Sequence, residues 1–256
     1  MRFRLDLAYD GTAFEGWQTQ SRPHPEEDGR SVQSEIEKAL STIAKRPVAV
    51  VGAGRTDSGV HARGQTAHFD AETTMTGPQF VRGLNSLLPR DVRIWNCEPV
   101  DSNFHARFSA LGRVYYYHLA EAAVLMPWDY NYVYRVTELP PLKLLNSIAG
   151  TLQGEMDFTT FAHIRDPNPN KTRYIYHASF FPQRDRVIFQ IAGNAFLWRM
   201  VRSLVGTMLR VAAQGGGREE FVEILNIRDR KKVGPTAPAQ GLYLQRVIYH
   251  EREFAF

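Results

Sequence analysis

The sequence of 256 residues contains a single cysteine, Cys97, which excludes an internal disulfide and fits a reducing, cytoplasmic setting. No run of about eighteen apolar residues occurs, so no membrane-spanning helix is expected. The opening "MRFRLDLAYDG" is too short and too interrupted by charge to act as a secretory signal. There is no His-Glu-x-x-His, and the eight histidines do not cluster with Cys97, so no metal site is expected. Lysine is scarce, with six against 25 arginines.

What is present suits two small lobes or one large one. The chain is 43% hydrophobic, enough for a sizeable core, and carries a net charge of +4 with a pI near 9.2. Arginine presents a planar fork that matches phosphate oxygens, so the arginine excess favours a polyanionic partner. Eleven tyrosines and four tryptophans add surfaces on which bases could stack, although most aromatics in a soluble chain are core.

Alternation in "RFRLDLAY" predicts a strand with Phe3, Leu5 and Leu7 on one face. Ser31 is the expected cap of a helix carrying Val32, Ile36, Ala39, Leu40 and Ile43. Strands are expected over 47–53, 64–71 and 91–100, with a helix from Pro78 to Leu88 between the last two. The second half repeats the order: a strand at 113–120, a helix at 140–154, a hairpin turning at Gln183-Arg184-Asp185, helices over 195–213 and 218–227, and a closing strand at 242–251. Loop character concentrates in 17–31, 121–140 and 228–241. Both halves therefore read β-α-β-β-α-β. The fold expected is α+β: two ferredoxin-like lobes with mostly antiparallel sheets flanking a basic central cleft, over 1–105 and 106–256.

The chemistry is concentrated in "GAGRTDSGVHA" at 52–62. A Walker A loop needs a Gly-Lys-Ser/Thr ending, and this frame has no lysine. The glycines at 52, 54 and 59 miss the spacing of a dinucleotide loop, and "VHARGQTAHF" reads as extended where a helix would be needed. Aspartic proteases pair two carboxylates to share a proton, and only one Asp-Ser-Gly is found here. An Asp-Ser-Gly taken alone is usually a turn.

The full string "GRTDSGVHA", followed by "GQTAHF", strongly resembles the catalytic motif of the tRNA pseudouridine synthase A family. Further blocks are similar to the family's and in its order: "AYDGTAFEGWQ" with "SVQSEIEKAL", "LNSLLPRDV", "FHARFSALGRVYYY", "NAFLWRMVRSLVGTML" and "GLYLQRVIY". They run from about residue 5 to residue 249.

The resemblance implies an isomerase acting on uridines 38–40 of the tRNA anticodon arm, working as a homodimer without cofactor. It makes Asp57 the catalytic carboxylate, and the reaction leaves three roles open: attack on the base, trapping of the sugar, or proton removal from C2′. It makes Arg202 the guanidinium that keeps Asp57 ionised, Tyr115 the ring stacking on the flipped uracil, and Leu244 the apolar residue under the base, the last three in the C-terminal lobe. Helical spacing puts Arg202 beside a stripe of Leu197, Met200, Val201, Leu204, Val205 and Met208, where periodicity alone would leave it an ordinary surface arginine. Arg55 is expected to prop or enter the RNA where the target base leaves. Arg63 and Arg107 are expected phosphate contacts, together with Arg22, Arg165, Lys171, Arg199, Lys231 and Lys232; His61 is read as structural. The chain departs from the family pattern at Ser58, at Ala195 and at the pair Trp198-Arg199. Two rival readings are a tRNA-binding protein of the same fold without turnover, and a nucleoside-cleaving hydrolase. The hydrolase would need a second carboxylate, and none recurs in the matching blocks.

Overall fold

The computed structural model describes residues 1–18 and 29–255. In chain order it contains β1 (Arg2–Tyr9), α1 (Val32–Ala44), β2 (Val51–Gly52), β3 (His61–Asp70), α2 (Gly77–Leu87), β4 (Val92–Val100) and β5 (Gly112–Glu121). Then follow β6 (Tyr134–Val136), α3 (Leu142–Ala149), β7 (Gly154–Asp157), β8 (Thr172–Gln183), β9 (Arg186–Gly193), α4 (Met200–Ala213), α5 (Arg218–Asn226) and β10 (Leu242–Ile248). Two compact units result, one formed by Met1–Leu111 with Tyr243–Phe254 and the other by Gly112–Leu242. The expected lobes divided the chain once, at 105/106, whereas Leu244 lies with the first unit.

Unit 1 is an α+β arrangement of the expected order. Its sheet runs β4-β1-β3, antiparallel throughout. The other edge of β3 takes β2 antiparallel at Ala67–His68 and β10 parallel at His61–Ala62. The order 4-1-3-2 with two intervening helices is the ferredoxin-like pattern. Alternation in β1 buries Phe3, Leu5, Leu7 and Tyr9 on one face. Phe3 meets Phe69 at 5.4 Å and Phe80 of α2 at 5.0 Å, a cluster closed by Phe69 and Phe80 at 5.2 Å. Asp6 is buried on the opposite face yet fully partnered: Arg4 pairs with it at 2.9 Å, and Thr66 and Asn96 donate to it at 2.8 and 3.0 Å. α1 starts at the Ser31 cap, whose hydroxyl accepts from Ser34 N–H, and it buries Val32, Ile36, Ala39 and Leu40.

Unit 2 has the antiparallel sheet β5-β9-β8-β7, with β6 pairing parallel to the end of β5 on its other edge. β8 and β9 turn at Arg184, which has φ 56°. Leu145 and Ile148 of α3, Leu204, Val205 and Met208 of α4 and Phe221 of α5 are all sealed from solvent. Phe221 stacks on Phe161 at 5.6 Å.

Several boundaries differ from expectation. The strand over 47–53 shrinks to β2, because only Val51 and Gly52 pair with β3. β3 is longer than expected and reaches back to His61. The 121–140 loop contains β6, and β7 follows the shortened α3. The helix expected from 195 begins at Met200, since the preceding backbone is captured elsewhere (below). Of the 17–31 loop, residues 19–28, including Arg22, lie outside the described residues. No helix among the described residues is long and apolar enough to cross a membrane.

Replacing Phe80 with Ala removes the ring that joins α2 to two strands. It should cost about 3–5 kcal/mol of stability, read as a lower denaturant midpoint at unchanged slope.

Candidate functional site

Asp57 sits half-buried on the loop between β2 and β3, and the segment 11–17 braces this loop from one side. Trp17 N–H donates to Thr56 O at 3.1 Å, Gly59 N–H to Phe14 O at 3.3 Å, and the Ser58 hydroxyl to the same carbonyl at 3.2 Å. Gly16 and Asp57 form an isolated antiparallel bridge. Gly16 has φ 116°, and a Cβ there would lie 2.5 Å from Thr56 O, so only glycine allows this approach. Behind the loop, the Tyr9 hydroxyl and Thr56 Oγ1 are 2.8 Å apart in the core. The loop closes on itself through Val60 N–H to Asp57 O at 3.1 Å. The carboxylate therefore stands on a backbone held at residues 56, 58, 59 and 60.

The strand leaving this loop brings Leu244 close in register. Leu244 of β10 pairs with Ala62 and is fully buried, and its neighbour Tyr243 stacks on His61 at 4.7 Å. His61 Nδ1 accepts the Gly11 N–H at 3.0 Å, so this buried ring ties three segments together. Arg55 and Arg63 flank the aspartate on either side along the chain, and both are exposed. Arg107 is exposed on the 101–111 loop, beside the Phe108 ring at 5.7 Å.

Tyr115 and Arg202 belong to unit 2. Tyr115 lies in β5 opposite Ile191, nearly buried, with its ring edge-on to Phe196 at 5.1 Å. Tyr117, two residues on, is buried on the same face and donates to Pro238 O at 2.7 Å. Burial pushes its hydroxyl well above the usual tyrosine range, with the positive charge of Arg202 opposing the rise. It stays protonated and structural.

Arg202 occupies the first turn of α4, where no acidic residue is present. A cation there faces the positive end of the helix dipole, an arrangement that favours an anion close by. Its backbone and side chain are fixed by one residue: Ala237 donates its N–H to Arg202 O at 3.1 Å and accepts from Arg202 Nε at 2.7 Å. The 234–237 backbone reaches α4 because Gly206 has no side chain; a Cβ there would sit 1.8 Å from Pro235 O. Gly234 N–H then bonds the Thr207 hydroxyl at 3.0 Å.

The start of α4 explains the corrected boundary. Asn194 Oδ1 accepts the Ala195 N–H at 2.7 Å, and Asp166 Oδ2 accepts the Trp198 N–H at 2.6 Å. Arg199 then takes φ 60° and the helix begins after it. Burial raises the Asp166 carboxyl, but the Trp198 N–H and Lys171 at 2.9 Å outweigh it and hold it below the usual carboxylate range. Leu197 is buried, as the stripe required, but lies ahead of the helix.

Gly16, Phe196 and Gly206 fall within the family-like blocks with no role of their own legible there, and Ala237 lies in the 228–241 loop. A glycine inside the apolar stripe of α4 was the one available signal, since such a glycine marks a close backbone approach. Among the described residues, no group of three or more His, Cys, Asp or Glu side chains could hold a metal ion.

Unit 1 thus carries a carboxylate on a braced loop and, at Ala62 of the strand that follows, a buried leucine; unit 2 carries a nearly buried tyrosine and a tethered guanidinium. The family model described as tRNA pseudouridine synthase matches residues 7–109 and 148–250. The tRNA pseudouridine synthase A of Treponema denticola is 43% identical over 248 residues, covering 96% of this chain and 92% of its own. That of Treponema pallidum is 44% identical over 238 residues, covering 93% and 85%. That of an Exiguobacterium species is 35% identical over 250 residues, covering 98% of each. The chain belongs to the tRNA pseudouridine synthase family.

Substituting Gly206 with Ala should push the 234–237 backbone off α4 and loosen Arg202. Turnover should fall by about 10²-fold if the guanidinium moves by roughly 1 Å, while tRNA retention on a filter changes little.

Proposed function

We propose that this isomerase converts uridine to pseudouridine at positions 38–40 of the tRNA anticodon arm, with Asp57 as the group that acts on the nucleotide. The reaction breaks the bond from N1 to C1′, turns the base and joins C5 to the same carbon. N1 gains a proton and C5 loses one, so atoms and electrons balance without an oxidant or reductant. A uridine inside a stem is beyond the reach of side chains in a deep, narrow major groove, so the base must be extruded.

In this reading the Asp57 carboxylate meets the extruded nucleotide in its ionised form. Exclusion of water by the bound RNA would favour protonation, and Arg202 supplies the opposing charge. Tyr115 stacks on the uracil, and Leu244 packs beneath it. Arg55 fills the place the base vacates, while Arg63 and Arg107 hold phosphates. The enzyme works as a cytoplasmic homodimer in which each tRNA spans both subunits.

The observation that carries the reading is the bracing of Asp57. A carboxylate in a merely structural turn does not call for a glycine at φ 116° and hydrogen bonds on both flanks. Family membership across both units supports the substrate class.

The test uses tRNA labelled with tritium at uridine C5. Asp57→Asn should abolish tritium release, with tRNA affinity kept within a few-fold, and tRNA from cells lacking the protein should carry unmodified uridine at 38–40. Undiminished release by Asp57→Asn removes the aspartate from the mechanism. Pseudouridine persisting at 38–40 in those cells assigns the enzyme to another position.

A further inference from the structure

Trp198 and Arg199 form a second cluster in unit 2 that the proposed reaction does not use. Trp198 is 37% exposed, yet it is held on every side that the backbone offers. Its N–H is taken by Asp166, its carbonyl accepts the His163 N–H at 3.0 Å, and its ring lies 4.0 Å from the His163 ring. The Arg199 guanidinium is 5.4 Å from the indole centroid, on a residue in the left-handed conformation. An arginine held in the left-handed conformation beside a fixed, partly exposed aromatic is a feature typical of ligand clamps.

Arg230 adds the second observation. Its Nη2 donates to the Thr236 hydroxyl at 2.9 Å, but its Nη1 is buried without a hydrogen-bond partner among the described residues. Burial, and then the like charge of Arg199, lower the affinity of this guanidinium for its proton. Arg230 is tied to Thr236, next to the Ala237 that holds Arg202 three residues after Arg199, and an anion there would meet its unmet buried donor. Lys231 and Lys232 follow directly and are exposed.

We propose that Arg199 and Arg230 clamp one backbone phosphate of the RNA while Trp198, backed by His163, stacks on an unpaired base next to it. The occupant is a single nucleotide outside the target pocket. Carboxylates and free phosphate match the clamp but leave the indole face unused; RNA uses both. The subsite rests on the reading of this chain as a tRNA-binding enzyme, and its test is chosen to be independent of turnover.

Affinity for an unmodified tRNA transcript is measured on the full-length protein across a salt series. Trp198→Ala should weaken binding by about 5- to 150-fold, and Trp198→Phe by much less, because the stacking surface is largely kept. Arg199→Gln and Arg230→Gln should each lower the salt slope by about 0.7–0.9, and the double variant by little more than either alone, because one phosphate is shared. Arg230→Lys should restore part of the slope, which separates lost charge from lost folding. Unchanged affinity and slope in variants with native circular dichroism overturn the subsite. A Trp198→Ala protein that loses self-association and keeps its affinity for tRNA also overturns it, because the surface then serves a second copy. Tight binding by a wild-type protein that forms no pseudouridine would defeat the proposed reaction, and the subsite would still be judged on affinity and slope.

Discussion

The site in unit 1 depends on one contact between two backbones. Residues 14–17 lie against residues 56–59, and the missing side chain of Gly16 sets the distance between them. A carboxylate that must meet a particular atom gains little from strength and much from fixed position, since small displacements cost large factors in rate. The bracing is built from peptide groups and one serine hydroxyl, which have few rotamers to lose. Tyr9 and Thr56 join the same loop to the core from behind, so the rigidity of the sheet is transmitted to Asp57.

Unit 2 solves a comparable problem by a comparable device. A guanidinium in the first turn of a helix is placed against the dipole, and it would be expected to swing away without a tether. Gly206 admits a neighbouring loop whose Ala237 grips Arg202 at both backbone and side chain. In each unit a glycine admits a second strand of backbone, and that backbone immobilises a charged group.

Local patterns exposed much of the fold. Alternation marked β1, because its odd positions from Phe3 to Tyr9 face the core. Ser31 and Pro78 marked the starts of α1 and α2, because caps are local. The start of α4 escaped because its determinant is distant: Asp166 captures the Trp198 N–H from 32 positions away. β2 was overestimated because a run of valines and alanines says nothing about which residues find a partner edge. The pairing of Leu244 with Ala62 was not legible for a related reason, since alternation identifies a strand without naming the sheet it joins. At the candidate site, the residues around Asp57 left open both a turn, the usual reading of Asp-Ser-Gly, and an active carboxylate. The resemblance to a family chose between them, and it did not point to the glycines that do the positioning.

The account turns on whether the brace, and not merely the presence of an aspartate, sets the rate. The direct measurement is the single-turnover rate of pseudouridine formation by Gly16→Ala at saturating protein, beside near-ultraviolet circular dichroism and tRNA affinity. The account predicts a fall of about 10²-fold in a folded protein that still binds tRNA within a few-fold of the original. A wild-type rate in that folded variant would contradict it.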